Sequence, residues 1–236
     1  MNFTRMQFPP PEPRPAMTRR AFLKVTGAAG AGLTLGIFDF DVAAQTSGPG
    51  KTVGNAATGE FAPSAFLRIK PDNTITVLVK HVEMGQGTYT GLPTLVAEEL
   101  DAAWSQVKVE GAPADAKLYN NLLWGPMQGT GGSTAMANSF EQYRQAGATA
   151  RAMLIAAAAE KWKVAPDSVS VKNGVVMHAS GKKATFGELA DAAATQAVPA
   201  SVKLKDAKDF VYIGKSFART DSKAKSTGTA MFTQDE

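Results

Sequence analysis

Residues 82–100 constrain the fold of this chain more than any other segment, because a β-type run breaks there into a glycine-rich loop and continues as a helix. We name residues 83–88 the first glycine loop. A strand that feeds a helix through glycines brings backbone N–H groups near the positive end of the helix dipole, and we expect these groups to face outward. That geometry suits an anion, most often a phosphate. Three interpretations stay open: phosphate-type binding, nicotinamide binding, and a turn that uses glycine for its conformation alone.

Two common nucleotide-binding motifs fit this segment poorly. A P-loop needs a Gly-Lys-Ser/Thr sequence at a spacing that the chain lacks. The GxGxxxG pattern of Gly85, Gly87 and Gly91 resembles a dinucleotide fingerprint, and Glu110 ends the next predicted strand, where a ribose-binding acid would lie. Against this, the sequence LVKHVE places polar residues at the end of the lead strand. A parallel strand buried on both faces disfavours such residues.

A second glycine-rich element, residues 129–138, also precedes a predicted helix. It opens with the second glycine loop, which we define as residues 129–134. Ser133, Thr134 and Asn138 place hydroxyl and amide groups beside free backbone donors. The alternative is that Ser133 or Asn138 only caps the helix. We expect the two loops to converge in space and to hold one extended ligand.

The remaining pattern predicts an α/β (α+β) fold with mixed sheets and packed helices. The predicted strands and hairpins are residues 65–70 and 74–82 joined by the turn PDNT, a strand from Gln106, a hairpin that turns at Asn173-Gly174, and a strand-like segment at 209–214. The predicted helices are residues 92–103 with Pro93 marking the start, a long buried helix at 139–162, and a short helix with a capping box of Thr185 and Glu188. Residues 112–132 are predicted to be a long irregular segment, which in compact domains is usually functional or disordered.

The first 44 residues have the features of a twin-arginine export signal. The sequence TRRAFLK at 18–24 is followed by a weakly apolar run at 25–38 and by VAAQ, which offers a cleavage point after Ala44. A membrane anchor is the alternative, but the run is shorter than the roughly 20 residues needed to span a bilayer. We therefore expect a disordered, exported N-terminus at 1–44, a linker at 45–63, and a periplasmic protein with membrane association as a further option.

The composition excludes several kinds of site. The chain has no cysteine, so it has no disulfide and no cysteine-ligated iron–sulfur cluster. Its two histidines, His81 and His178, lie in separate segments without a carboxylate at ligand spacing, and no metal held by protein side chains is predicted. Beyond residue 44 the chain has 20 basic and 18 acidic side chains. This balance gives no support for a nucleic-acid partner.

Long motifs from about residue 65 to the end resemble the molybdenum hydroxylases of the xanthine dehydrogenase and aldehyde oxidase superfamily. The matching stretches are HVEMGQGTYTGLPTLVAEELDAAW, GTGGSTA, ATARAML, NGVVMHASGKKATFGELADAA and IGKSFARTDSKAKSTGTAMF. They are most similar to the isoquinoline 1-oxidoreductase beta subunit group, which includes membrane-associated aldehyde dehydrogenases. The resemblance implies a molybdopterin-binding domain portion at 64–198, followed at 199–236 by a connector and the start of a hammerhead domain.

The resemblance also implies a cofactor and its contacts. The cofactor is molybdopterin, with the cytosine dinucleotide form as an option, and Gln86 would use its amide near the metal or the pterin. The cofactor-binding positions carried over from the family motifs are Gly85, Gln86, Gly87, Thr88, Gly131, Gly132, Ser133 and Thr134.

The implied reaction is the hydroxylation of an aldehyde or N-heterocycle with water as the oxygen source. The implied partners are a small 2Fe–2S subunit, a cytochrome c acceptor, and a second chain that carries the rest of the large subunit. The family's general-base glutamate lies far beyond residue 236, so no catalytic residue is assigned, and Glu83 and Glu110 are expected to be solvated strand ends. We expect a truncated or split subunit that is inactive alone, with a noncatalytic exported scaffold of the same fold as the alternative.

Overall fold

The computed structural model describes residues 61–231, so the predicted export signal, most of the predicted linker and the last five residues lie outside the described range. A four-stranded sheet comes first. Its strands, in spatial order, are β1 (Phe61–Ser64), β2 (Leu67–Ile69), β3 (Ile75–Val79) and β4 (Val107–Gly111). Neighbouring pairs are antiparallel except β3 and β4, which are parallel. The mixed sheet agrees with the predicted fold class.

The predicted hairpin is confirmed as β2 and β3, although both strands are shorter than expected. Its turn is closed by hydrogen bonds between Lys70 and Thr74 and from the Asn73 N–H to the Lys70 carbonyl. All five residues of β3 are buried. The sequence argument against a buried parallel strand was wrong, because β3 ends at Val79 and the polar residues that follow it are accommodated beyond the ladder.

Five α-helices alternate with the strands in the described range: α1 (Thr88–Leu100), α2 (Ala116–Tyr119), α3 (Thr134–Trp162), α4 (Phe186–Ala194) and α5 (Ser222–Ser226). The long buried helix is confirmed as α3, which begins five residues earlier than predicted. The prediction that Pro93 starts its helix was wrong, since α1 begins at Thr88. Proline lacks the N–H that would bond to the carbonyl of Tyr89. That carbonyl instead accepts a hydrogen bond from the Thr220 hydroxyl at 3.0 Å.

A second, antiparallel sheet contains β5 (Val169–Lys172), β6 (Val175–His178) and β7 (Lys183–Thr185). The hairpin turn at Asn173-Gly174 is confirmed, with φ of 49° and 76° at the two residues. The capping box of α4 is confirmed as well. Its Glu188 N–H donates to the Thr185 hydroxyl at 3.2 Å, and the Thr185 N–H donates to the Glu188 carboxylate at 2.7 Å.

The segment 199–231 wraps along α1 without forming a strand, so the predicted strand at 209–214 was wrong. The N–H groups of Val211, Tyr212 and Ile213 donate to the carboxylate of Glu98, at 2.6 to 3.0 Å, instead of to a neighbouring strand. Glu98 is fully buried on α1. Within residues 61–231, no helix combines the length and apolarity that a membrane crossing requires.

Helices α1 and α3 pack closely enough to exclude a side chain at Gly147. A Cβ at that position would lie 2.5 Å from the carbonyl oxygen of Val96 and 3.1 Å from its Cα. Neither backbone atom can move without shifting α1, and the core of the domain lies around this contact.

We therefore expect Gly147→Ala to lower the free energy of unfolding by about 1–3 kcal/mol, because overpacking outweighs the gain in helix propensity. Urea denaturation measures the change. Gly91→Ala is the matched control in α1, since its added methyl group meets only the flexible end of Met136, with the sulfur at 3.1 Å. A loss of stability in the control as large as that in Gly147→Ala would contradict the backbone contact as the cause.

Candidate functional site

The first glycine loop is folded around the carboxylate of Glu83. Oε1 of this residue accepts the N–H groups of Gly85 at 2.7 Å and Gly87 at 3.0 Å, and Oε2 accepts the N–H of Tyr89 at 3.0 Å. The expectation that these donors face outward was wrong, because the chain supplies its own anion. The expectation that Glu83 is solvated was wrong as well, since its side chain is only 6% exposed.

The charge of Glu83 is held in place by these backbone donors. Burial raises the pKa of Glu83, but the hydrogen bonds from the N–H groups of Tyr89, Gly87 and Gly85 outweigh it and leave the pKa below its usual value. Thr88 is buried, and its hydroxyl donates to the same carboxylate at 3.3 Å.

Glu110 is half-exposed and pairs with Arg68, as a residue at a solvated strand end can.

Gln86 is exposed at the tip of the first glycine loop and ties it together. Its Oε1 accepts the Met84 N–H at 2.7 Å, and its Nε2 donates to the Val82 carbonyl at 2.6 Å. Gly85 and Gly87 have φ of 108° and 95°, which other residues adopt only with strain. The loop is therefore a rigid turn in which glycine serves conformation as well as donor placement.

The second glycine loop differs because its donors remain available. Among the described residues, the backbone N–H groups of Gly131, Gly132 and Ser133 have no hydrogen-bond partner. Ser133 is the N-cap of α3 but makes no side-chain capping bond, so the alternative of a simple serine cap is wrong. The Thr134 hydroxyl donates to the Gly131 carbonyl at 2.7 Å and accepts from the Asn121 amide at 2.8 Å. The loop that leads into a 29-residue helix therefore presents free donors, which is a favourable setting for an anion.

An exposed indole lies against the backbone of the second glycine loop. The ring of Trp124 occupies the space that a Cβ of Gly129 would need, and a Cβ of Gly131 would lie 3.2 Å from the same ring. A side chain at Gly129 would have to displace the ring, and one at Gly131 would press against it. More generally, most of the exposed large apolar side chains surround the two loops, namely Val82, Met84, Leu123, Trp124, Met127 and Met136.

A hydrogen bond joins the residue just before the first glycine loop to the second glycine loop, while the convergence of the two loops on one ligand stays a prediction. The Val82 N–H donates to the Thr130 hydroxyl at 2.9 Å. A cavity of about 190 Å³ lies beside this bond, at the carboxyl ends of the parallel strands β3 and β4, and none of the eight predicted cofactor-binding residues lines it. Its lining includes Tyr89, Gly111, Gln128 and Thr130. Crevices at the carboxyl ends of parallel strands are common ligand sites in α/β proteins.

His81 is the buried link between the loops. Its Nδ1 lies 3.2 Å from the Gly129 carbonyl and donates to it, which leaves Nε2 as the acceptor of the Asn138 amide at 3.3 Å. Burial lowers the pKa of His81, and the neighbouring charge of Lys80 lowers it further. The neutral ring is therefore the form that this hydrogen-bond pattern accommodates.

Lys80 is also buried, directly after β3. Its ammonium donates to the Gln142 side chain at 2.7 Å and to the Asn120 carbonyl at 3.1 Å, and burial lowers the pKa of Lys80 to about 7. Its backbone N–H donates to the hydroxyl of Tyr143 on α3 at 3.0 Å. These bonds fix the end of β3 against α3 and hence the point from which the first glycine loop departs.

The sequence interpretation missed four residues that build this site: Glu83, His81, Trp124 and Arg219, whose guanidinium pairs with Glu83 at 3.1 Å. The sequence LVKHVE carried a signal for the first two, since charged and polar residues directly after an apolar strand often serve a site. The described residues contain no group of three or more His, Asp or Glu placed to hold a metal ion. The assignment of the eight residues as cofactor ligands stays a prediction. In the first glycine loop the backbone donors are bonded to Glu83, whereas in the second glycine loop they are free.

The fold defines a domain of mixed α/β type, and comparison with known proteins identifies its family. Residues 15–233 match the family model described as the molybdopterin cofactor-binding domain. The chain therefore belongs to the molybdopterin cofactor-binding domain family, and its cofactor is molybdopterin. The resemblance to the molybdenum hydroxylases is confirmed.

Three relatives are similar to this chain over most of its length. The beta subunit of isoquinoline 1-oxidoreductase from Brevundimonas diminuta is 37% identical over 73% of the chain and 22% of that protein. The membrane-bound aldehyde dehydrogenase (pyrroloquinoline-quinone) of Gluconacetobacter polyoxogenes is 31% identical over 92% and 27%. A nicotinate dehydrogenase subunit of Pseudomonas putida is 29% identical over 72% and 14%. The chain thus spans about a quarter of the length of the first two relatives, and all three relatives are named as oxidoreductases.

The environment of His81 makes stability depend on pH. The unfolded chain binds a proton as pH falls through about 6.5, while the folded chain resists protonation because the pKa of His81 is lowered. We therefore expect the free energy of unfolding to fall as pH drops below 6.5, and His81→Asn to remove most of that fall. Urea denaturation between about pH 5 and 8 measures it.

The contribution of Lys80 to the pH dependence falls in another range. Folding lowers its pKa from 10.5 to about 7. Between these two pH values the unfolded chain binds the proton more tightly, so the free energy of unfolding rises with pH above pH 7. His178→Asn is the control, since His178 lies on β6 and bonds only locally to Ser180. If this control removed the fall below pH 6.5 while His81→Asn kept it, the assignment to His81 would be wrong.

Proposed function

We propose that this chain forms part of the cofactor-binding large subunit of an exported molybdenum hydroxylase that oxidises aldehydes or N-heterocycles with water as the oxygen source. The family supports the cofactor, and the names of the relatives support the two substrate classes. The proposal rests on two observations. The first glycine loop is closed by its own hydrogen bonds, and the second glycine loop presents N–H donors without a partner.

The two glycine loops offer different kinds of contact to the cofactor. The N–H groups of Gly131, Gly132 and Ser133 are free to hold its anionic tail, and the Thr134 hydroxyl fixes the turn that aims them. At the first glycine loop the donors of Gly85 and Gly87 are taken by Glu83, so this loop would contact the cofactor through the exposed side of Gln86 and through its shape. Such a preformed surface reduces the entropy lost on binding.

When bound, the cofactor supplies a two-electron redox centre. The described residues contribute binding, orientation and the exclusion of water. In this proposal none of the described residues carries the acid–base step of the reaction. They would contribute one wall of the active site.

The proposal also includes partner subunits. Two of the three relatives are themselves named as subunits. The exposed apolar side chains around the two loops suit a protein surface, because such patches mark interfaces. We propose as partners a second chain with the rest of the large subunit, a small 2Fe–2S subunit, which the cysteine-free chain cannot replace, and a cytochrome c as acceptor.

The twin-arginine motif at residues 18–24 supports a periplasmic location.

Metal and pterin analysis tests the function directly. The full chain, co-expressed with the products of its neighbouring genes, is purified and assayed for molybdenum, for pterin fluorescence after oxidation, and for pyrroloquinoline quinone. Molybdenum and pterin in stoichiometric amounts are expected. A folded complex without either would support the noncatalytic scaffold.

We expect Gln86→Ala to lower molybdenum retention in the same complex about five- to tenfold, since it removes the exposed amide together with its two hydrogen bonds inside the loop, to the Met84 N–H and the Val82 carbonyl. Gln196→Ala is the matched control, because this glutamine lies after α4 and bonds to Glu160. Retention equal to that of the wild type in Gln86→Ala would contradict the role of Gln86.

A further inference from the structure

We propose that Arg219 is a positioning residue that holds the first glycine loop in its binding conformation, 134 residues away in sequence. Arg219, Thr220 and Asp221 together form what we call the clasp. The inference rests on the proposed function for its consequence, but the clasp itself is a property of the folded chain. Its contacts across the chain fall on the loop and on the first turn of α1.

Arg219 binds the loop through two groups at once. One guanidinium nitrogen donates to the Gly85 carbonyl at 2.7 Å, and another donates to the Glu83 carboxylate at 3.1 Å. The Asp221 carboxylate accepts Nε at 3.1 Å and the second terminal nitrogen at 3.0 Å. The planar fork of arginine matches this set of partners, and the single ammonium of lysine cannot reach all of them.

The charge of Arg219 is needed because two carboxylates meet there. The side chains of Glu83 and Asp221 are 6% and 15% exposed, so water screens their repulsion only weakly. Arg219 lies between them and pairs with both. Without it, Glu83 would keep its three backbone donors but would face Asp221 with Lys225 as the remaining cation paired to that carboxylate.

Thr220 completes the clasp at a defect in α1. Pro93 leaves the Tyr89 carbonyl without a helical donor, and the Thr220 hydroxyl donates to that carbonyl at 3.0 Å. The Thr220 N–H also donates to the hydroxyl of Thr90 at 3.0 Å. The clasp therefore closes both ends of the turn that connects the loop to α1.

Amide hydrogen exchange in the full chain tests the clasp without any cofactor. In Arg219→Gln we expect the amides of Gly85, Gly87 and Tyr89 to exchange at least about tenfold faster, because the loop opens locally. Arg219→Lys should show a smaller increase. Lys225→Gln is the matched control, since Lys225 pairs with Asp221 but does not touch the loop, and it should exchange like the wild type.

Two outcomes would overturn the clasp. One is unchanged exchange at the three loop amides in Arg219→Gln. The other is an increase spread evenly over α3 and the sheets, which would show a global loss of stability instead of a local opening. If Arg219→Gln did not fold, Arg219→Lys would be judged by the same criteria.

Molybdenum content separates this inference from the proposed function. In the co-expressed complex, Arg219→Gln should retain severalfold less molybdenum than Lys225→Gln. Equal retention in a variant with fast loop exchange would overturn the positioning role. A wild-type complex without molybdenum would instead overturn the proposed function and leave the exchange result standing.

Discussion

The structure depends on one carboxylate, that of Glu83, which supplies the negative charge that the first glycine loop is built to receive. Its hydrogen bonds to the N–H groups of Gly85, Gly87 and Tyr89 close the loop and cap α1. A buried carboxylate is stable only when its oxygens are satisfied, and here backbone donors and Arg219 satisfy them. The loop therefore has a defined shape before any ligand arrives, and the anion-binding donors left over belong to the second glycine loop.

Buried acidic residues also hold other parts of the domain together. Glu98 and Glu99 are fully buried on α1, where they bind the chain between residues 205 and 213. Arg144 of α3 donates to Glu99 at 2.8 Å. Burying such charges costs stability unless each is paired, and breaking one pair costs more than never having it. The C-terminal segment is thus held by a row of acidic residues along one helix.

Features set by local sequence were predictable, and features set by distant partners were not. The Asn173-Gly174 turn, the capping box of α4 and the buried α3 follow from neighbouring residues. The start of α1 and the absence of a strand at 209–214 depend on Thr220 and Glu98, more than a hundred residues from the segments they alter. For the candidate site, the existence of the two loops followed from glycine spacing, while the capture of the first loop by Glu83 did not. A side chain two residues away that folds back onto the backbone leaves no periodic signal.

The bond between Thr220 and the Tyr89 carbonyl has a consequence for the order of assembly. During synthesis the chain must grow by some 130 residues after Tyr89 before this donor exists, and contacts of such long sequence separation form late in folding. The turn that leads into α1 is therefore among the last parts of the domain to mature.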